Sequence, residues 1–308
     1  MHRIYCFLLF LLIVFSACKQ QDKQVNVLKI GVMSSMDYVP LAVAQEQGFF
    51  DKHGVHVEIL KFYSANDRDA AFQSGNIDGT VIDYTGAILQ RAGGVDLKLT
   101  SACNATFCLM TAQPEIRQIS DLQNKKIGVS RNTVIDFCVE KALLSAGISP
   151  GQIEKQEINK IPIRFEMMMK GESDATALPD PFITIAASKG ARTLVCMNDL
   201  GFAVTGIMFK TVALNQKFDQ VKAFYTAYNE AVEYIKNHSI EDIKPILVND
   251  IGFPEPLIGW VKLPDYTPAK MPEIKDIQAT EEWLRGKGLL PSKDLIYENL
   301  LDDRFVQQ

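Results

Sequence analysis

Two periodicities alternate along the chain. Short apolar runs with period-two patterning are each followed by stretches whose apolar residues recur at helical spacing, which predicts parallel βαβ units. Residues 28–32 read as the first strand. Pro40 stands where the next helix starts, a position that suits its missing donor, and Gly48 ends that helix. Residues 56–60 read as the second strand. A helix from about 67 to 74 follows, capped by Gly75, and short strands follow over 80–82 and 97–100.

The middle of the chain repeats this design. Lys-Ile-Gly-Val at 126–129 reproduces Lys-Ile-Gly-Val at 29–32, and Gly-Glu-Ser-Asp-Ala-Thr at 171–176 echoes Gly-Asn-Ile-Asp-Gly-Thr at 75–80. Each pair holds the same place in its half, first the opening strand and then the turn into the third, so the halves read as a structural repeat. After Val195 the character changes. Residues 205–209 read as one more strand, and the remainder as mostly helical: a long helix from about 216 to 237, a second over 240–248, and shorter ones over 281–285 and 294–301. The proline-rich stretch 254–272 reads as a connection over a surface. The expected layout is lobe I from 27–110 and 204–308 and lobe II from 111–203, joined by two crossings with a cleft between them.

The N-terminal residues bear on the compartment. A positive charge at Arg3 and an apolar run over 4–14, too short to span a membrane, describe a secretory signal over 1–17. Phe15-Ser16-Ala17-Cys18 resembles a bacterial lipobox, with Phe15 where leucine is usual. That resemblance implies lipidation of Cys18, with the polar stretch 18–26 as a tether and a membrane-anchored lipoprotein facing the periplasm or cell exterior as the product. The net charge of −5 and the lack of a basic stripe exclude nucleic acid as a partner.

Beyond Cys6 and Cys18 the chain holds Cys103, Cys108, Cys138 and Cys196. An exported chain permits disulfides. Cys138 lies in a helical pattern and Cys196 ends an apolar strand, and both read as buried free thiols. A Cys103–Cys108 bridge is the alternative left open. The spacing fits no zinc site, and no cofactor motif is present. His53 and His56 read as loop residues rather than metal ligands. The methionine run at 167–169 reads as core filler.

The order of short motifs is more specific than any one of them. Ile30-Gly31-Val32, Pro40-Leu41-Ala42-Val43-Ala44, Gln47-Gly48-Phe49-Phe50 and Gly54-Val55-His56-Val57-Glu58 resemble the opening of periplasmic binding proteins for nitrate, sulfonates, taurine and thiamine pyrimidine precursors. Residues 119–129, 171–175 and Glu282-Trp283-Leu284 with Gly288-Leu289-Leu290 extend the resemblance over nearly all of the mature chain. It implies the type II periplasmic binding protein fold, α/β with two lobes closing on a ligand. It also implies delivery of a small molecule to ABC permease and ATPase subunits by a monomeric, non-enzymatic binding protein. The alternatives are an enzyme on the same fold in thiamine or menaquinone biosynthesis, or a ligand-sensing domain.

Ligands of open α/β sheets sit beyond the carboxyl ends of strands. The repeat assigns four loops to that place. They offer Ser34, Ser35, Asp37 and Tyr38; Asp83, Tyr84 and Thr85; Arg131, Asn132 and Thr133; and Asp180 and Phe182. The aspartates also suit helix N-caps, and the aromatics also suit packing between lobes. Three aspartates against one arginine favour an amino-bearing heterocycle, such as a thiamine pyrimidine precursor, over a nitrate- or sulfonate-type anion.

Overall fold

The computed structural model describes residues 27–290 and 296–306, so the expected signal, the tether, Cys6 and Cys18 lie outside the described residues. Strands β1 (Leu28–Met33), β2 (Val57–Phe62), β3 (Gly79–Asp83) and β4 (Leu97–Ala102) come first. They are followed by β5 (Phe107–Thr111), β6 (Lys126–Val129), β7 (Glu154–Glu157), β8 (Ala175–Pro179), β9 (Arg192–Cys196) and β10 (Thr205–Lys210). They form two five-stranded sheets, ordered β2-β1-β3-β10-β4 and β7-β6-β8-β5-β9. In each sheet the first strand pairs in parallel with the second and third, and a strand that has just crossed from the other sheet runs antiparallel between the third and the last. The expected lobe boundary at 110/111 falls inside β5. That strand belongs wholly to the second sheet, because its buried residues pair with β8 and β9.

The sequence repeat reappears as repeated hydrogen bonds. The Lys29 N–H donates to the Asp78 carboxylate at 2.8 Å, and the Lys126 N–H donates to Asp174 at 2.7 Å. The buried Thr80 hydroxyl donates to the Gly31 carbonyl at 2.8 Å, and Thr176 donates to Gly128 at 2.7 Å. Both strand glycines sit in tight surroundings. A Cβ on Gly31 would meet the Ile77 Cδ1 at 2.6 Å, and one on Gly128 would meet Arg164, Ile158 and Ser173 at 3.2–3.3 Å. The central strands β3 and β8 are buried along their whole length, as expected where helices cover both faces.

The long helix Phe218–Asn237 buries Val221, Phe224, Tyr225, Tyr228, Val232 and Ile235, a single stripe at helical spacing. Phe224 stacks on Phe50 and meets Phe209 edge-on, each at 5.7 Å between ring centroids. The last long helix begins earlier than the sequence pattern suggested and spans Ile274–Gly286. The stretch 254–272 is also more than a surface connection. Tyr266 and Ala269 are buried, and the Tyr266 hydroxyl donates to the Met36 carbonyl at 2.7 Å, pinning the loop after β1.

The cysteine pairing differs from expectation. Cys108 and Cys196 face each other across β5 and β9 and form a disulfide, whereas Cys103 and Cys138 are free and buried. Cys196 is therefore no free thiol, and Cys108 does not pair with Cys103. Sequence spacing gave no sight of this register, which depends on β5 crossing into the second sheet. The link joins residues 88 apart, a separation at which chain-entropy models assign about 4–5 kcal/mol of stabilisation.

Candidate functional site

A narrow cavity lies between the two sheets, lined from the first by Ser35, Asp37, Arg68, Asp83 and Thr205 and from the second by Ser130, Thr133, Asn159 and Arg164. Met33, Val81, Phe107, Ile135, Ile161 and Pro179 supply its apolar wall. Residues from the loops after β1 and β6 meet here with the last residues of β3 and β8, Asp83 and Pro179.

Among the described residues these polar groups have hydrogen-bond partners, except for the Thr205 hydroxyl and part of Arg164. Asp37 is 4% exposed and accepts a short hydrogen bond from the Ser35 hydroxyl. Burial pushes its carboxyl up to about 6, against the opposing pull of Ser35 and the positive charge of Arg68. Asp83 caps the helix Tyr84–Ala92 by accepting from the Gly86 N–H at 2.9 Å and from the Thr85 hydroxyl. Its other oxygen accepts from Arg68 at 3.1 Å, and the Arg68 Nε donates to Asp69 at 2.9 Å. Ser130 donates to Asn159 at 2.8 Å, and Thr133 caps the helix Val134–Ser145.

Arg164 is the charged one of the two. It is fully buried, and its Nη1 donates to the Ile158 carbonyl at 2.9 Å. Its Nε and Nη2 have no hydrogen-bond partner among the described residues. Burial lowers this guanidinium to about 10, offset in part by Glu157. Even so, it is charged at neutral pH.

The structure gathers only some of the expected site residues. Ser35, Asp37, Asp83 and Thr133 line the central cavity. Thr85 supports Asp83 from beneath. Arg131 and Asn132 lie in an outer polar recess, where the Arg131 side chain pairs with Glu157 at 3.2 Å. Ser34 and Phe182 border an apolar recess at the cleft edge with Tyr63 and Pro162. Tyr38 is buried in the core of the first lobe, with the Lys61 ammonium 5.5 Å from its ring centre. Tyr84 is buried in the core against Gly206. Asp180 is absent from the central lining. Its carboxylate accepts from the Thr184 N–H at 2.9 Å and from the Thr184 hydroxyl at 2.7 Å, the capping alternative.

Sequence reading missed both buried arginines, because they lie on helices after the second strand of each lobe rather than on the loops considered. A signal was nonetheless available. Arg68 precedes Gly75, Asp78 and Thr80 at the same spacing at which Arg164 precedes Gly171, Asp174 and Thr176. The repeat, carried a few residues further back, pairs the two arginines. The structure then distinguishes them, since Arg68 is neutralised by Asp69 and Asp83 while Arg164 faces the cavity with no carboxylate partner among the described residues.

This architecture has known counterparts. The alkanesulfonate-binding protein SsuA from Xanthomonas axonopodis pv. citri, solved bound to MOPS, superimposes with a TM-score of 0.77 at 20% identity, over 89% of this chain and 97% of that one. The nitrate-binding protein NrtA from Synechocystis PCC 6803 superimposes with a TM-score of 0.73 at 16% identity, over 89% and 85%. The fold is therefore that of the type II periplasmic binding proteins, α/β with two lobes. YtlA of Bacillus subtilis (strain 168), named as a binding protein, is 21% identical over 97% of this chain and 94% of its own length. A family profile described as NMT1/THI5 like matches residues 35–241, and the chain belongs to that family.

Proposed function

We propose that this chain is an exported solute-binding protein that hands a small organic anion to an ABC importer. The single observation behind the choice of anion is Arg164, a buried guanidinium lining the interlobe cavity with two nitrogens unpartnered among the described residues. A buried charge without a counter-charge costs several kcal/mol, and a sulfonate, carboxylate or phosphate group would offset that cost with charge-assisted hydrogen bonds. The loop residues alone favoured an amine. Asp83 is already committed to Arg68, and Asp180 to its own helix, which leaves Asp37 as the one cavity carboxylate without a cationic hydrogen-bond partner. Native mass spectrometry of protein purified from its host, followed by calorimetric titration with ethanesulfonate, nitrate and an aminopyrimidine, tests the reading. Binding of an anionic solute supports it. Binding of the aminopyrimidine alone would overturn the anion.

Export and anchoring belong to the same reading, with the protein acting as a monomer beside its permease and ATPase. The Cys108–Cys196 disulfide suits an oxidising compartment, and the Phe15-Ser16-Ala17-Cys18 sequence suits lipidation. Cys18→Ser is expected to release the protein from membranes or to block its processing, read by fractionation. Unchanged membrane association in that variant would count against the anchor.

A further inference from the structure

The helix Ile274–Gly286 is moored to the first lobe. Glu281 accepts the Ile296 and Tyr297 N–H groups at 3.0 Å each. The segment that follows joins the edge of β4, where the Leu99 N–H donates to the Leu300 carbonyl at 2.7 Å and the Asp302 N–H donates to the Leu99 carbonyl at 2.9 Å. The last turn of the helix reaches the second lobe. Trp283 Nε1 donates to Glu140 at 2.6 Å, and its ring meets Phe137 edge-on at 5.4 Å between centroids. The Lys287 ammonium sits over the Trp283 ring at 4.7 Å and bonds Asp136 at 2.9 Å and Glu140 at 2.8 Å. Lys155, on β7, bonds the same two carboxylates.

Two buried carboxylates are thus matched by two ammonium groups, one from each lobe. Burial alone would lift both carboxyls, but the bonds to Lys155 and Lys287 outweigh it and hold them below the usual carboxylate range. Asp136 has a second task. The same oxygen that meets Lys287 accepts the Asn132 N–H at 3.2 Å. Asn132 has a φ of 61°, a left-handed conformation that asparagine tolerates better than most residues. It lies between Ser130 and Thr133, both of which line the central cavity.

We propose that Trp283 and Lys287 are positioning residues for the ligand site, clamping the C-terminal helix of the first lobe to the second lobe and, through Asp136, fixing the 130–133 loop against the cavity. A first-lobe ammonium shares the carboxylate that holds a second-lobe ligand loop. The order of that loop therefore depends on how the lobes are set, and a displacement of one lobe is felt at the cavity wall. The proposal rests on the central cavity being the ligand site, but its test needs no ligand. Hydrogen exchange is followed on the ligand-free full chain for wild type, Lys287→Met, Lys287→Arg and Trp283→Phe. Loss of the charge-assisted bond to Asp136 predicts at least roughly tenfold faster exchange at 130–137 in Lys287→Met, which also loses the bond to Glu140. A smaller rise is expected in Trp283→Phe, which keeps the ring but lacks the N–H. Lys287→Arg should restore wild-type exchange, and the 296–302 amides should stay unchanged in all variants. Unchanged exchange at 130–137 in Lys287→Met would overturn the proposal, as would loosening confined to 274–290 or equal acceleration across the whole chain.

Discussion

Arg164→Met is expected to lose ligand affinity by at least ten- to hundred-fold while the protein melts at a higher temperature. The two effects share one cause. Burial lowers the Arg164 guanidinium from its ordinary range to about 10, a difference worth about 3 kcal/mol against folding at neutral pH. Methionine replaces the alkyl stem and carries no charge, and replacing buried ionic groups with apolar ones often gains about 1–4 kcal/mol. The ligand meanwhile loses charge-assisted hydrogen bonds of about 1.5–3 kcal/mol each, which converts to the stated loss of affinity. Arg131→Met is the control. Arg131 is exposed and paired with Glu157, so neither affinity nor melting temperature should move appreciably. Calorimetric titration with ethanesulfonate and thermal melts of the three proteins give both readouts. Undiminished affinity in Arg164→Met would remove the basis for an anionic solute.

Asp37→Asn is expected to stabilise the ligand-free protein at pH 7.5 by up to about 3 kcal/mol and to change little at pH 4. Burial raises the Asp37 carboxyl from 3.8 to about 6 in the folded state. Such a group contributes most to folding where it is protonated in both states, below about pH 3.8. That contribution is lost as the pH climbs through about 6, because the unfolded chain ionises freely while the folded chain must ionise a buried carboxyl. Asparagine stays neutral throughout and keeps a hydrogen-bonding partner for Ser35. Chemical denaturation at several pH values measures the gap between variant and wild type, which should open between pH 4 and pH 7. A gap independent of pH would mean that Asp37 ionises in the fold as easily as in water.

Much of the fold was legible because it is written in local patterns. Gly31 and Gly128, Gly75 and Gly171, and Asp78 and Asp174 hold equivalent places in the two halves, and the structure gives each pair the same backbone role. The site was legible at the level of loops and less so at the level of side chains. An aspartate after a strand has the same local signature whether it caps a helix, as Asp180 does, or stands buried beside a cavity, as Asp37 does. Arg68 and Arg164 lie within helical patterns where a basic residue ordinarily points to water.

Hydrophobic period and glycine placement, read along the chain alone, determined two βαβ halves and the loops that end their strands, since both follow from backbone geometry within a few residues. Only the tertiary structure decided that β5 crosses into the second sheet and brings Cys108 opposite Cys196. It alone decided that Lys287 reaches Asp136 and Glu140, and that one of two repeat-related arginines is neutralised while the other is left facing the cavity. These features depend on which distant groups share a low-dielectric space. There, the partner a charge finds sets its energy, and sequence distance carries almost no information about that partner.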